Sequence, residues 1–278
     1  MISIITVCHN SSNIMEAYVS SFLAHHNDAQ SRDSVEFVFV ENSGDKSIRV
    51  QAHRLRAAGF SVNLKYTENR GFGSGCNEGA QLASGDILAF VNPDIEFRSP
   101  ITTLEQSFGL EKWGGPLQRH DNKVTTVLNL RPEYCNLLTD LAMTRRWLHL
   151  VKPLYRYSYP SGSFFVVPRR VFLDLGGFDE RFFLYQEEVE LSRRLTERLG
   201  PPKVCRNITV AHEGGGTQPS KDQMLAHEAR STVLYGKIIG DLDMAYRRLS
   251  TLRILGRFMP INAKRAEHLK KAIEEVIE

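Results

Sequence analysis

Four short apolar runs, residues 2–7, 35–40, 62–66 and 86–91, are separated by stretches long enough for helices. β-Branched residues and Phe fill them, as in strands covered on both faces. Residues 14–24 have helical spacing, residues 47–58 form a helix that stops at Gly59, and residues 75–83 follow a glycine-rich turn. This β-α-β-α-β-α-β order requires crossover connections, which are right-handed, and so predicts a mostly parallel α/β sheet flanked by helices. In such sheets, ligands bind outside the carboxyl ends of the strands. The loops that follow the strands are therefore where function is to be sought.

After Pro100 the pattern loosens. Residues 113–117 and 123–128 read as strands, residues 133–151 as a helix in an insertion, and residues 163–167 as a strand before a short helix over 168–175. Residues 187–199 form a strong helix, residues 204–210 a last strand running on to His212, and the chain from Ser220 onward is helical. At 278 residues, with 42% apolar and 24% charged residues, the chain can build a sizeable core. A net charge of +3 does not by itself call for nucleic acid. Cys8, Cys76, Cys135 and Cys205 are dispersed, which suggests neither a zinc site nor a disulfide framework. No apolar run approaches the roughly 20 residues of a bilayer span. The N-terminal segment reads as a strand rather than a secretory signal, so a cytoplasmic location is expected.

Several strand-end segments carry chemistry. Gly71, Gly73 and Gly75 could bring backbone amides to a phosphate, but the spacing departs from the dinucleotide fingerprint because Cys76 stands at its third position. A tight strand-to-helix turn accounts for them equally well. Asn92-Pro93-Asp94 ends an apolar strand and presents a carboxylate suited to Mg²⁺ or Mn²⁺, or to an Asx turn. Glu187, Glu188 and Glu190 open a helix, where acids favour the dipole. Three within four positions exceed what a cap needs, and adjacent carboxylates raise each other's pKa toward that of a general base. His212 precedes the mobile-looking run Gly214–Gly216, a candidate lid with Thr217 and Gln218.

Taken together, residues 2–218 resemble the family 2 glycosyltransferases with the GT-A fold. The resemblance rests on Thr6-Val7-Cys8-His9-Asn10, Val40-Glu41-Asn42-Ser43, the segment from Asn69-Arg70-Gly71-Phe72-Gly73 to Asn77-Glu78-Gly79, and Asn92-Pro93-Asp94. Ser161-Gly162-Ser163, the stretch from Gly176-Gly177-Phe178-Asp179 to Phe183, and Glu187-Glu188-Val189-Glu190 complete it. Asn-Pro-Asp and Gly-Gly-Phe-Asp-Glu are most similar to bacterial rhamnosyltransferases.

The resemblance implies an inverting transfer from a dTDP- or UDP-sugar to a saccharide or polyprenyl-linked glycan, in surface polysaccharide synthesis. Asn10, Glu41, Asn69, Gly71, Phe72, Gly73, Asn77 and Asn92 would bind the donor. Asp94 and His212 would hold Mg²⁺ or Mn²⁺, and Glu188, with Glu187 beside it, would be the base. Glu188 stands where the family has Asp, so its longer side chain needs extra room. The expected division is a catalytic domain over 1–218, with a variable acceptor-side insertion at 118–160, and a helical extension over 219–278. The alternatives are a non-catalytic scaffold of the same fold and a nicotinamide-dependent oxidoreductase. Between Arg247 and Lys271 the basic residues face a single acid, Glu267, and Leu249, Leu252, Ile254, Leu255, Phe258 and Met259 are interleaved. That segment reads either as a peripheral contact with the inner face of the membrane or as a packed helix with a solvated basic face.

Overall fold

The computed structural model describes residues 1–120, 123–124, 128–135, 151–212 and 220–277. The first half alternates as expected: β1 (Ile2–Cys8), α1 (Ser12–His25), α2 (Ala29–Ser34), β2 (Val35–Glu41), α3 (Ile48–Ala57), β3 (Ser61–Tyr66), α4 (Phe72–Leu82) and β4 (Ile87–Val91). These strands pair in parallel in the order β3-β2-β1-β4. Every residue of β1 and β2 is buried. Their side chains alternate between two cores: Ile2, Ile4 and Cys8 face Phe22, Phe37 and Leu55 on one side. Ile5 and Val7 face Cys76, Ala80 and Phe90 on the other.

The second half adds β5 (Ile95–Phe97), α5 (Leu104–Phe108), β6 (Gly114–His120), β7 (Lys123–Val124), β8 (Leu128–Leu130), β9 (Ser158–Pro160) and β10 (Phe164–Pro168). Then come α6 (Arg169–Asp174), α7 (Glu187–Leu199) and β11 (Lys203–His212). β10 lies antiparallel to both β4 and β6, β6 is parallel to β11, and β11 is antiparallel to β5. The sheet thus runs β3-β2-β1-β4-β10-β6-β11-β5, with β7 beside β6 and a separate β8–β9 pair. The helix expected over 133–151 falls mostly outside the described residues, and its described flanks, Pro132–Tyr134 and Lys152–Tyr157, are 3-10 turns. The candidate lid residues Gly214–Gly216, Thr217 and Gln218 also lie outside the described residues.

At the C-terminus stand α8 (Lys221–Ile239), α9 (Asp243–Gly256) and α10 (Pro260–Ile277). Ser220 and Gln223 form a reciprocal capping box that starts α8. Ala229, Val233, Leu249, Leu252, Leu269 and Ile273 form a core shared by the three helices. Tyr235 and Met244 join them to Phe182 and Val189 of the preceding part. No helix among the described residues is long and apolar enough to cross a membrane.

Candidate active site

The loops after β1, β2 and β3 meet at one sheet edge through a chain of side-chain hydrogen bonds. His9 Nδ1 lies 2.9 Å from Asn42 Oδ1, Asn42 Nδ2 donates to Asn69 Oδ1 at 3.4 Å, and that oxygen also accepts from the Gly71 amide at 3.1 Å. Asn10 takes a left-handed φ of 50° and its amide donates to Ser43 Oγ. Glu41 is buried, and its Oε1 accepts from the Ser43 amide and hydroxyl, each at 2.5 Å. Its carboxylate thereby shapes its own loop. Asn10, Glu41 and Asn69 are brought together, and the His9–Asn42 link among them is one that sequence spacing did not single out.

Asp94 and His212 also meet. His212 Nε2 lies 3.3 Å from Asp94 Oδ2 because antiparallel pairing puts His212 opposite Ile95, the residue next to Asp94. The other Asp94 oxygen, Oδ1, is buried without a hydrogen-bond partner, and so is Asn92 Oδ1. Unpartnered buried acceptors are rare because each forgoes its bonds to water. With the His212 imidazole on Asp94, these oxygens offer a donor chemistry that fits a hard divalent cation. Among the described residues no group of three or more His, Cys, Asp or Glu side chains could hold a metal. Any such ion would therefore draw its remaining ligands from substrate or water.

The helix α7 begins after two consecutive left-handed residues, Tyr185 and Gln186, both at φ 69°. Such backbone costs roughly 1–3 kcal/mol per non-glycine residue and survives where its surroundings impose it. Here α8 does so: Ser231 Oγ donates to the Leu184 carbonyl at 2.8 Å and His227 stacks on Phe183 at 4.9 Å. The turn delivers Glu187 and Glu188 inward, each with an unpartnered buried Oε2. Burial pushes the Glu188 carboxyl up to about 7. Burial, with the charge of Glu188, raises Glu187 well above the carboxylate range. Glu190 has another task. It receives Arg194 Nε on both oxygens at 2.9 Å, while Arg194 also donates to the carbonyls of Leu175 and Gly177. That clamp holds the loop leading to Glu187 and Glu188.

One short loop joins the acids to the Asp94 cluster. A Cβ on Gly162 would lie 3.6 Å from the Glu188 carboxyl carbon, so glycine leaves room for the long side chain. The next residue, Ser163, accepts the Asn92 amide at its carbonyl at 2.9 Å.

The glycine segment packs closely against the stretch from Phe178 to Glu187. Gly71 has φ +106°, and a Cβ there would meet the Phe183 carbonyl oxygen at 2.5 Å. The Phe72 amide donates to that same carbonyl at 3.0 Å. A Cβ on Gly73 would lie 3.0 Å from Phe178 and 3.6 Å from Glu187. Small residues thus let α4 start at Phe72, earlier than expected, and press against the segment leading to Glu187. Asn77 is occupied as well. Its Oδ1 accepts the Phe178 amide, and its Nδ2 donates to the Phe178 carbonyl and to Glu180. Gly73 thus lies behind Glu187, Gly71 packs on Phe183 while its amide meets Asn69, and Asn77 is bonded to Phe178 and Glu180 rather than to Asn10, Glu41 or Asn69.

Residues 3–100 match the family model described as Glycosyl transferase family 2. No curated protein matches the chain. The fold is similar to that of a mannosyltransferase from Pyrobaculum calidifontis solved with GDP-Man and Mn²⁺ (TM-score 0.64, 14% identity, 98% of this chain and 74% of that one). It is also similar to GalNAc-T7 solved with UDP, GalNAc and Mn²⁺ (TM-score 0.60, 15% identity, 100% and 56%). S. aureus TarS 1-349 has a TM-score of 0.54 at 14% identity, over 99% of this chain and 90% of that one. The curled α/β sheet flanked by helices is the GT-A glycosyltransferase fold.

Proposed function

We propose that this chain is an inverting, nucleotide-sugar-dependent glycosyltransferase in which Glu188 is the base and Asp94 holds a divalent ion together with His212. The observation that carries this reading is the loop 161–163, which contacts Glu188 through Gly162 and Asn92 through Ser163. It links a carboxyl of raised pKa to the residue that begins the Asn92-Pro93-Asp94 segment. Family likeness over residues 3–100 supports the same reading.

The unpartnered oxygens of Asn92 and Asp94, with His212, would hold Mn²⁺ or Mg²⁺. When bound, such an ion neutralises charge on a departing nucleoside diphosphate. The remaining chemistry falls to the chain. Asn10, Glu41 and Asn69 frame the nucleotide at the strand ends. Glu188, raised toward neutrality, takes the proton of the acceptor hydroxyl as that oxygen attacks the anomeric carbon. The bond from that carbon to the diphosphate breaks on the opposite face, so the configuration inverts. Glu187, raised by burial and by the charge of Glu188, resists ionising beside the base and so limits the negative charge there.

A dTDP- or UDP-sugar is the donor, with L-rhamnose favoured by the Asn92-Pro93-Asp94 pattern, and the acceptor is a saccharide or lipid-linked saccharide. The Pyrobaculum enzyme was solved with GDP-Man and TarS 1-349 with UDP-GlcNAc, so the fold accommodates several nucleotides. A nicotinamide cofactor fits less well, because the amide after Gly71 is bonded to Phe183 and the glycines face protein.

A thermal-shift panel of dTDP-rhamnose, UDP-hexoses and GDP-Man, with Mn²⁺ or with chelator, tests the reading. Mn²⁺-dependent stabilisation by a nucleotide sugar is expected, and Asp94→Ala should abolish it by removing the charged ligand. Turnover should vanish in Glu188→Gln. Donor binding without turnover of any acceptor in the wild type would favour the scaffold alternative. Stabilisation by UDP-sugars alone would overturn the rhamnosyl preference.

A further inference from the structure

We propose that the corner between α9 and α10 docks this protein on an anionic lipid bilayer. The basic tail divides into two parts. Leu249 and Leu252 are buried in the three-helix core, which makes much of the tail a packed helical unit. Several of its cations are also paired: Arg247 with Asp241, Lys264 with Asp222, Arg265 with Glu228 and Lys270 with Glu274. The corner is different. Phe258 is 82% exposed and Met259 51%, with Ile254 and Ile261 exposed beside them. Apolar groups this accessible on consecutive residues point to a surface that another phase covers.

The charge around them selects that phase. From Met244 to Ala266 there are six basic residues and no acid. Arg253 and Arg257 carry no ion pair among the described residues. With Lys270 they line a cavity of about 410 Å³ behind the corner, whose one acid is Glu267. At the floor of this cavity the two helices cross closely, since a Cβ on Gly256 would meet Ala263 at 2.9 Å. Two such cationic tips repel, so a second copy of this chain suits the surface poorly. A bilayer of anionic headgroups over acyl chains satisfies both parts, with Phe258 and Met259 entering the interface and the arginines meeting phosphates.

The placement is useful to the chemistry. Asp222, at the start of α8, contacts Lys264 and His268 near the start of α10, while Arg230 contacts Glu275 further along both helices. The two helices therefore run parallel, and the corner lies at the end of the unit where α8 begins. From Asp222 to His227, which stacks on the loop before the paired glutamates, α8 rises only about 8 Å.

Co-sedimentation of the full chain with vesicles tests this. Retention is expected on vesicles of equal parts phosphatidylglycerol and phosphatidylcholine, weakened by salt, and not on phosphatidylcholine alone. Phe258→Ser with Met259→Ser should weaken it about tenfold or more. Arg253→Ser with Arg257→Ser should weaken it about 25-fold. These side chains are exposed, so thermal unfolding should match the wild type. Equal retention on neutral vesicles, no retention, or wild-type retention by both variants would overturn the proposal. So would a lipid-free dimer that the Phe258→Ser change dissociates, which would assign the corner to a second copy. Mn²⁺-dependent donor binding is measured separately and is expected to be unchanged in these variants. A failure of the transferase reading therefore leaves the vesicle result intact.

Discussion

Replacing Glu188 by Gln should stabilise the fold at pH 8 and leave it nearly unchanged at pH 4. In the unfolded chain this carboxyl ionises near 4.5, whereas burial in the fold lifts it to about 7. Between those values the folded state binds more proton than the unfolded one, so stability falls as pH rises. The favourable contribution of the neutral acid is complete below 4.5 and gone above about 7. A gap of that size corresponds to about 3 kcal/mol, and because the residue as a whole is only partly buried, solvent trims it toward about 2 kcal/mol. His26 works in the opposite sense. Burial lowers it, so its neutral form, accepting the Ile101 amide at Nε2, loses stability as pH falls through 6.5. That term is common to both proteins and cancels in their difference. Urea melts of wild type and Glu188→Gln at pH 5, 6, 7 and 8 measure it. A difference that does not grow with pH, or a variant less stable at pH 8, would refute a desolvated carboxyl at this position.

The same carboxyl must be ionised to accept a proton, so kcat/KM for transfer should rise with pH through a limb near neutrality rather than near 4.5. Asn77→Ala removes the hydrogen bonds to the Phe178 amide, the Phe178 carbonyl and Glu180, and should cost about 2–3 kcal/mol in urea melts. Calorimetry should show its nucleotide-sugar affinity unchanged, and a lost affinity would restore Asn77 to the donor pocket. Gly162→Val fills the space 3.6 Å from the Glu188 carboxyl carbon. By displacing the base it should lower kcat about 100-fold, with donor binding in the thermal-shift assay retained.

Much of the first half was legible because each local signal agreed with its neighbours. The apolar runs of β1 and β2 are buried along their whole length, and Gly59 ends the helix that precedes β3. The second half was harder for a physical reason. β5 has three residues, and its partner β11 lies more than a hundred positions away, so no local period announces the pairing. That pairing is nonetheless what sets His212 against Asp94. Seen in sequence, His212 was one histidine at a strand end.

The acids show the same division between composition and placement. An excess of glutamate at the start of α7 was visible, but not which members were committed. Arg194, one turn on, occupies Glu190 and leaves Oε2 of both Glu187 and Glu188 without a partner. The glycines at the start of α4 were visible too, with two readings open, but not that a Cβ at Gly71 would crowd Phe183 and one at Gly73 would crowd Phe178. These features are connected. The two glutamates are each given room by a glycine. Gly162 withholds a side chain in front of the Glu188 carboxyl, and Gly73 allows α4 to lie close behind Glu187. The left-handed pair Tyr185 and Gln186, held by α8, sets the angle at which both acids enter. A glycine from the loop after β9 lies against Glu188, a glycine from α4 lies against Glu187, and a serine from α8 holds the turn before them. Only the folded arrangement makes them neighbours.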